Sequence, residues 1–218
     1  MTFESVRAAY RARVHEYIAA VGRIDDVDAL DLALISGWAR RIEGPILDVG
    51  CGPGQWTHHL RELGCDVSGL DPVPEFVARA RADHPDCEFR LGRAQRLDVD
   101  DDALGGVLAW YSLIHAEPED VRAGLAEFAR CVRPGGALAV GFFAGDRLER
   151  FDHAVVSAFR WPVDLLAGAV EEAGFAVTRT ETRPLRPGRR HGALLAVRTS
   201  GSDGDRPRRD LAPGPRSG

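Results

Sequence analysis

The chain has 218 residues, 44% of them hydrophobic and 28% charged, with a formal net charge of -5. That size and composition suit one globular domain with short extensions and a sizeable core, and the mild acidity argues against a nucleic-acid partner, which calls for a basic face. Every basic residue is an arginine, so neither a Schiff-base lysine nor a phosphate loop ending in Lys-Ser/Thr is available.

Met1 to Ser5 show no basic patch followed by an apolar run, the pattern of a secretory leader. No apolar stretch approaches the ~20 residues of a membrane span. Phe3, Val6, Tyr10, Val14, Tyr17, Ile18 and Val21 recur at helical spacing and predict an amphipathic helix over 3–21. A second helix is expected over 26–42, capped by Asp25 or Asp26 and stopped at Gly44-Pro45. Pro45 to Gly50 is a short apolar run ahead of a glycine-rich turn, as expected of a buried parallel strand.

A helix over 54–63, a strand from Asp66 to Leu70, a helix over 73–83 and a strand from Cys87 to Leu91 follow. The Asp-rich stretch 98–102 reads as a solvated loop. It leads into a fourth strand, Leu104 to Trp110, and a helix over 117–131 with Pro118 in its first turn. Arg133-Pro134-Gly135-Gly136 predicts a turn before a fifth strand, Ala137 to Phe143. This alternation implies βαβ units and a parallel sheet. Residues 144–160 read as irregular or β-like, and a helix over 162–173 ends at Gly174. Phe175 to Thr182 and His191 to Thr199 then read as strands. Their connection is too short for a helical crossover, so they should be antiparallel. Residues 200–218, rich in Gly, Pro, Ser, Asp and Arg, predict a disordered tail. Cys51, Cys65, Cys87 and Cys131 form no C-x-x-C pair or zinc spacing and read as reduced thiols, consistent with a cytoplasmic protein.

The chemistry concentrates in Asp48-Val49-Gly50-Cys51-Gly52-Pro53-Gly54. Glycines are needed where a backbone turns sharply or a ligand touches the main chain. The turn falls outside the carboxyl end of a parallel strand, the binding crevice of open α/β sheets. Asp71 ends the second strand about 20 residues later, the spacing at which a ribose diol is held. A carboxylate can accept two hydroxyl hydrogen bonds at once, so a nucleoside is implied. Asp48 at the loop entrance would repel a pyrophosphate and suits an ammonium, and the glycines run G-x-G-x-G, where dinucleotide loops read G-x-G-x-x-G.

Here the chain resembles the class I S-adenosylmethionine (SAM)-dependent methyltransferases, of the actinobacterial small-molecule type. Ile46 to Trp56 is similar to their first motif, and Leu70-Asp71-Pro72 to the acidic end of their second strand. Ala109 to His115 and Glu127 to Gly136 resemble their fourth strand, the helix after it and a Pro-Gly-Gly turn. Ala173-Gly174-Phe175 matches the approach to their sixth strand, so the resemblance covers residues 6–198. It implies a three-layer, Rossmann-like α/β sandwich whose mostly parallel, seven-stranded sheet has an antiparallel last strand. Residues 1–44 would form a helical lid, 45–199 the SAM-binding domain and 200–218 the tail.

The resemblance also assigns roles. Asp48 would hold the methionine ammonium, directly or through water. Gly50, Cys51, Gly52 and Gly54 would form the loop around the methionine part. Asp71 would bind the ribose, with Pro72 and Val73 against the adenine and Ala94 and Gln95 at its border. Trp110 and Tyr111 would line the site near the methyl group. Arg93 stands where the family often has an aspartate that accepts from the adenine amine. An arginine cannot accept that bond, so adenine recognition should be weaker. The acceptor, a small molecule with an O, N or C nucleophile, would lie over Trp110–His115, beside Phe143, Asp152, His153 and Trp161. Tyr10 and Tyr17 would lie on the covering helix, as packing residues or ligands. His115 is the candidate general base, with a structural histidine as the rival reading. His58 and His59 read as surface or packing residues. No metal, membrane or nucleic acid is expected, and the chain should be a monomer or homodimer. The alternatives are a non-catalytic SAM-binding protein and a NAD-binding oxidoreductase.

Overall fold

Four consecutive buried residues, Ile46–Val49, form the first strand, β1. A strand covered on both faces needs no polar alternation, and β1 lies in the interior of the sheet. The structure, a computed structural model, describes residues 22–153, 156–186 and 189–200. The expected helix over 3–21, with Tyr10 and Tyr17, and nearly all of the expected tail lie outside the described residues.

On one side of β1 lie β2 (Val67–Asp71) and β3 (Glu88–Leu91); on the other lie β4 (Leu104–Trp110) and β5 (Val132–Ala144), all parallel. Successive strand residues face opposite sides, and the core divides accordingly. Leu47, Val49, Val107 and Val140 pack with Leu125 and Phe128 of α4 (Pro118–Cys131) and Leu166 and Val170 of α5 (Val163–Glu172). Ile46, Leu108 and Ala139 pack with Ile35 and Trp38 of α1 (Ala29–Ala39) and Trp56 and Leu60 of α2 (Gln55–Glu62). Helix α3 (Pro74–Asp83) packs Val77 and Ala80 against Phe89 of β3. The result is helix, sheet, helix: the three layers the sequence implies.

Helix α1 is shorter than expected. Asp25 and Asp26 lie in a single 3-10 turn, Ile24–Asp26, and the cap is Asp28, whose Oδ1 accepts from the Leu30 N–H at 2.9 Å. Val27 is extended, which interrupts the helix before it starts. Strand β5 begins at Val132, so the Pro-Gly-Gly segment lies within it as an irregularity. Leu104 pairs with Val132 and Gly106 with Ala137, and Gly135 takes a φ of 78°.

The sheet has nine strands where seven were expected. The additions are two short strands, β6 (Glu149–Phe151) and β7 (Ala158–Trp161), in the stretch read as irregular or β-like. They pair with each other antiparallel. β7 pairs parallel with Phe143 and Ala144, whose other edge is taken by β9. A strand has two edges, so β7 occupies the edge of β5 that β4 leaves after Trp110 ends its pairing at Gly141. The last strands, β8 (Phe175–Arg186) and β9 (Arg189–Arg198), are antiparallel to each other as expected. β9 lies between β5 and β8 and runs against both. Among the described residues no helix is long and apolar enough to cross a membrane, and all four cysteines are free.

Candidate functional site

At the carboxyl ends of β1, β2 and β4 a cleft of about 300 Å3 opens. It is walled by Gly50 and Gly52 after β1, Asp71, Pro72, Val73 and Phe76 after β2, and Arg93, Ala94 and Gln95 after β3. Trp110 to Leu113, His115 and Ala116 after β4 complete it, with Glu117, Asp120 and Ala123 at the start of α4. The expected site residues Gly50, Gly52, Asp71, Pro72, Ala94, Gln95, Trp110, Tyr111 and His115 therefore share one cleft.

The loop after β1 folds back on β2. The Leu70 carbonyl accepts the N–H of both Gly50 (2.6 Å) and Cys51 (3.1 Å). Gly50 has a φ of 74°, and a Cβ there would lie 2.2 Å from Ser112 Cβ. Only glycine allows the two loops to close on each other. Gly54 does not line the cleft. It caps α2 in a left-handed conformation, and a Cβ there would meet Phe89 at 2.7 Å. The Cys51 side chain also turns away, into a cluster with Val77, Ala80, Cys87 and Phe89. Burial first, then the charges of Asp48 and Asp71, push its thiol well above the usual range.

Two buried carboxylates flank this loop. Asp71 Oδ2 accepts the Gly52 N–H at 2.9 Å and Oδ1 accepts the Val73 N–H at 2.8 Å. Each oxygen has a second lone pair, so the group can still accept from a diol. Burial raises its pKa to about 6, against the lowering effect of those two N–H groups. Asp48 lies behind the loop and not in the cleft wall. Its Oδ2 accepts from Thr57 Oγ1 at 2.7 Å. Burial raises it to about 7, the Thr57 bond opposes that, and the Asp71 charge adds to it.

The rest of the wall adds Glu117 and Asp120, so acidic groups predominate and favour a cationic ligand over a polyphosphate. Ser112 Oγ is buried with no hydrogen-bond partner among the described residues. An orphaned hydroxyl in an open cleft suits a ligand with polar atoms. SAM, with an ammonium, a sulfonium and a ribose diol, fits this donor and acceptor set.

His115 closes one end. Its Nδ1 lies 3.0 Å from the Ser157 carbonyl. A carbonyl only accepts, so the proton of the neutral ring is on Nδ1 and the lone pair on Nε2. Burial lowers its pKa, against the raising effect of that bond. The backbone supports this arrangement, since Phe159 of β7 donates to the Ile114 carbonyl at 2.8 Å. Beyond His115 the rings of His153 (5.2 Å), Phe143 and Phe151 form an aromatic cluster that includes Tyr111, 5.0 Å from Phe143. Burial, then the His115 and Arg189 charges, lower His153 to about 4. Phe143 and His153 are thus brought beside the cleft. Trp161 packs in the main core instead. His59 is a packing residue bonded to Ser36 Oγ at 2.8 Å.

The sequence reading missed Phe76, Ala116, Glu117, Asp120 and Ala123 as wall residues. It also missed a buried polar chain behind Tyr111, formed by His191, Asp31 and Arg183. A signal existed for Asp31. It shares the buried stripe of α1 with Ile35 and Trp38, at i, i+4 and i+7, where a carboxylate needs a partner.

Residues 46–136 match the family model described as a methyltransferase domain. An uncharacterized methyltransferase of Mycobacterium tuberculosis is 36% identical over 110 residues, covering 49% of this chain and 41% of that protein. Malonyl-(acyl-carrier protein) O-methyltransferase of Erwinia billingiae is 32% identical over 135 residues, covering 61% of this chain and 51% of that protein. The chain thus spans about half the length of the curated relatives it matches. Among solved structures, the 1,6-didemethyltoxoflavin-N1-methyltransferase of Burkholderia thailandensis, with 1,6-didemethyltoxoflavin and S-adenosylhomocysteine bound, shares the fold. Its TM-score is 0.72 over 91% of this chain and 89% of that one, at 22% identity. Loop motif, strand order and family match agree: residues 46–136 match a methyltransferase domain, on a fold shared with a methyltransferase that holds S-adenosylhomocysteine.

Proposed function

We propose that the chain binds SAM in the cleft and transfers its methyl group to a small-molecule nucleophile. The observation that carries this reading is Asp71, a buried carboxylate held by one backbone N–H on each oxygen and open to the cleft beside a glycine loop. Asp71 would accept from the ribose hydroxyls. Gly50 and Gly52 would let the ligand approach the main chain, and Asp48 would place negative charge behind the loop opposite the ammonium. Apolar Val73, Phe76, Ala94 and Ala123 would flank the adenine. SAM, when bound, supplies an electrophilic methyl whose bonding pair leaves with sulfur.

His115 would take the proton that an O–H or N–H acceptor loses. Its tautomer leaves the lone pair on Nε2, and its lowered pKa keeps it neutral at pH 7. Such a base is worth typically 10²–10⁴-fold in rate. The aromatic cluster of Phe143, Phe151 and His153 is proposed as the acceptor side. The toxoflavin-precursor enzyme supports a small-molecule acceptor by its fold.

Calorimetry with S-adenosylhomocysteine (SAH) and with NADH tests the cofactor. Binding of SAH and not NADH is expected, and the reverse would remove the methyltransferase reading. In an acceptor screen, His115→Ala should lose turnover while keeping SAH affinity within about twofold, as expected of a base that does not hold the cofactor. Wild-type rates across pH 6–9 would remove His115 from the chemistry.

A further inference from the structure

A chain of polar side chains joins four parts of the fold that are distant in sequence. Tyr111, directly after β4, has its hydroxyl 2.5 Å from Nδ1 of His191 on β9. His191 is fully buried, and its Nε2 faces Asp31 Oδ1 of α1 at 3.3 Å. The same oxygen accepts from Arg183 of β8 at 2.7 Å, and Asp28 lies 3.2 Å from that guanidinium nitrogen. Buried polar groups persist when they are connected end to end.

The surroundings fix where the protons lie. Burial, and then the Arg183 charge, lower His191 to about 4, so the ring is neutral and carries one N–H. Burial raises the Tyr111 phenol, so it keeps its proton. The Asp31 carboxylate beside Nε2 draws the imidazole proton there, although the contact is too poorly aligned for a full hydrogen bond. Nδ1 is then the acceptor, and the Tyr111 O–H is the donor.

Tyr111 needs such a tether. Its φ is +57°, a left-handed conformation that bulky residues rarely adopt. Its N–H is held by the Gly141 carbonyl at 3.0 Å. Its ring lines the cleft on one side and meets Phe143 at 5.0 Å on the other. It is the partition between the cleft and the aromatic cluster.

We propose that His191 and Asp31 are positioning residues that pin the Tyr111 ring as a fixed wall of the cleft, so that the ring recognises the charge of a sulfonium ligand. This rests on the SAM-binding reading above. An aromatic face attracts a cation more than a neutral group of the same shape. A pinned ring therefore favours SAM over the neutral thioether SAH, and a freed ring discriminates less.

The test is calorimetry of the full chain with SAM and with SAH, together with 15N NMR of the imidazoles. Tyr111→Phe keeps the ring and removes only the tether. Tyr111→Phe and His191→Leu should each weaken SAM binding about 3- to 10-fold and SAH binding less than about twofold. The double variant should be no worse than the worse single, because both break one bond. His191→Asn, which keeps an acceptor near the Nδ1 position, should recover most of the loss. The wild-type spectrum should show His191 protonated on Nε2. Equal losses of SAM and SAH with a lowered melting temperature, additive single effects, or a proton on Nδ1 would each overturn the inference alone. If the wild-type protein binds neither ligand, this inference and the SAM reading both fall.

Discussion

Asp48 and Asp71 are two carboxylates kept from water at the end where a cation is proposed to bind, and that sets a pH dependence. Burial raises them to about 7 and about 6. In the ligand-free fold each holds a proton that the unfolded chain has already released above its ordinary value near 3.8. Their contribution to stability therefore falls as pH rises from about 4 towards 7. A ligand ammonium reverses the preference by favouring the ionised forms. SAH affinity should thus rise with pH through 6 to 7, by roughly tenfold between pH 5.5 and 8, as measured by calorimetry. Asp48→Asn keeps an acceptor for Thr57 and removes the charge. It should weaken SAH binding at pH 8 by about 1–3 kcal/mol and flatten the profile near pH 7. A profile unchanged from wild type would show that Asp48 does not face the ammonium. Both aspartates were legible in the sequence because their meaning is local: one ends a strand at a glycine loop, the other ends the next strand. His191 was not, since its partners are 80 residues away at Tyr111 and on α1 at Asp31. Trp161 was expected beside the acceptor site, yet its side chain is buried in the main core.

At the scale of elements, the cleft depends on two turns touching. The loop after β1 and the loop after β4 meet at Gly50 and Ser112, where no Cβ fits on the glycine. Gly50→Ala adds both a left-handed strain and a backbone displacement. It should cost about 2–4 kcal/mol of stability and abolish measurable SAH binding, read by denaturant unfolding and calorimetry. Retention of wild-type affinity would mean that the loops separate without harm. Strands β1 to β5 and helices α2 to α5 were legible because apolar runs, glycine stops and Pro118 repeat with a regular period. The β6–β7 pair was not. Its strands are 3 and 4 residues long, too short for periodicity to rise above noise. Their existence depends on a tertiary fact, the vacant edge of β5 beyond Trp110. The start of α1 was misplaced for a related reason, since Asp25, Asp26 and Asp28 are all capable caps and only the extended Val27 chooses between them.

For the whole molecule, the end of the described chain is tied to both helices of one layer. Arg198 on β9 donates through Nε to the Ala129 carbonyl in the last turn of α4 and through Nη1 to the Gly174 carbonyl beyond α5, both at 2.8 Å. A cation on carbonyls at two helix C-termini satisfies acceptors that the helices leave open. Arg198→Ala should lower stability by about 1–3 kcal/mol, a fall of roughly 2–10 °C in melting temperature. SAH affinity should stay at the wild-type value, because Arg198 lies far from the cleft residues in the fold. Loss of affinity would reveal coupling between the antiparallel edge and the site.

Among the described residues, every one that walls the cleft lies between Val49 and Ala123, inside the stretch 46–136 that matches the family model. Phe143, Phe151 and His153 lie after that stretch, on β5, on β6 and just beyond it. The β6–β7 pair is joined to the rest by two residue pairs with the tip of β5, by the Phe159 N–H to the Ile114 carbonyl, by the Arg150–Glu117 ion pair and by Phe159 and Trp161 in the main core. The chain thus has a stretch that matches the methyltransferase model and carries the cleft wall, and a later stretch that carries the aromatic cluster beside it. On the methyltransferase reading proposed above, changes between Ala144 and Trp161 would alter the acceptor side while the glycine loop and Asp71 stay in place.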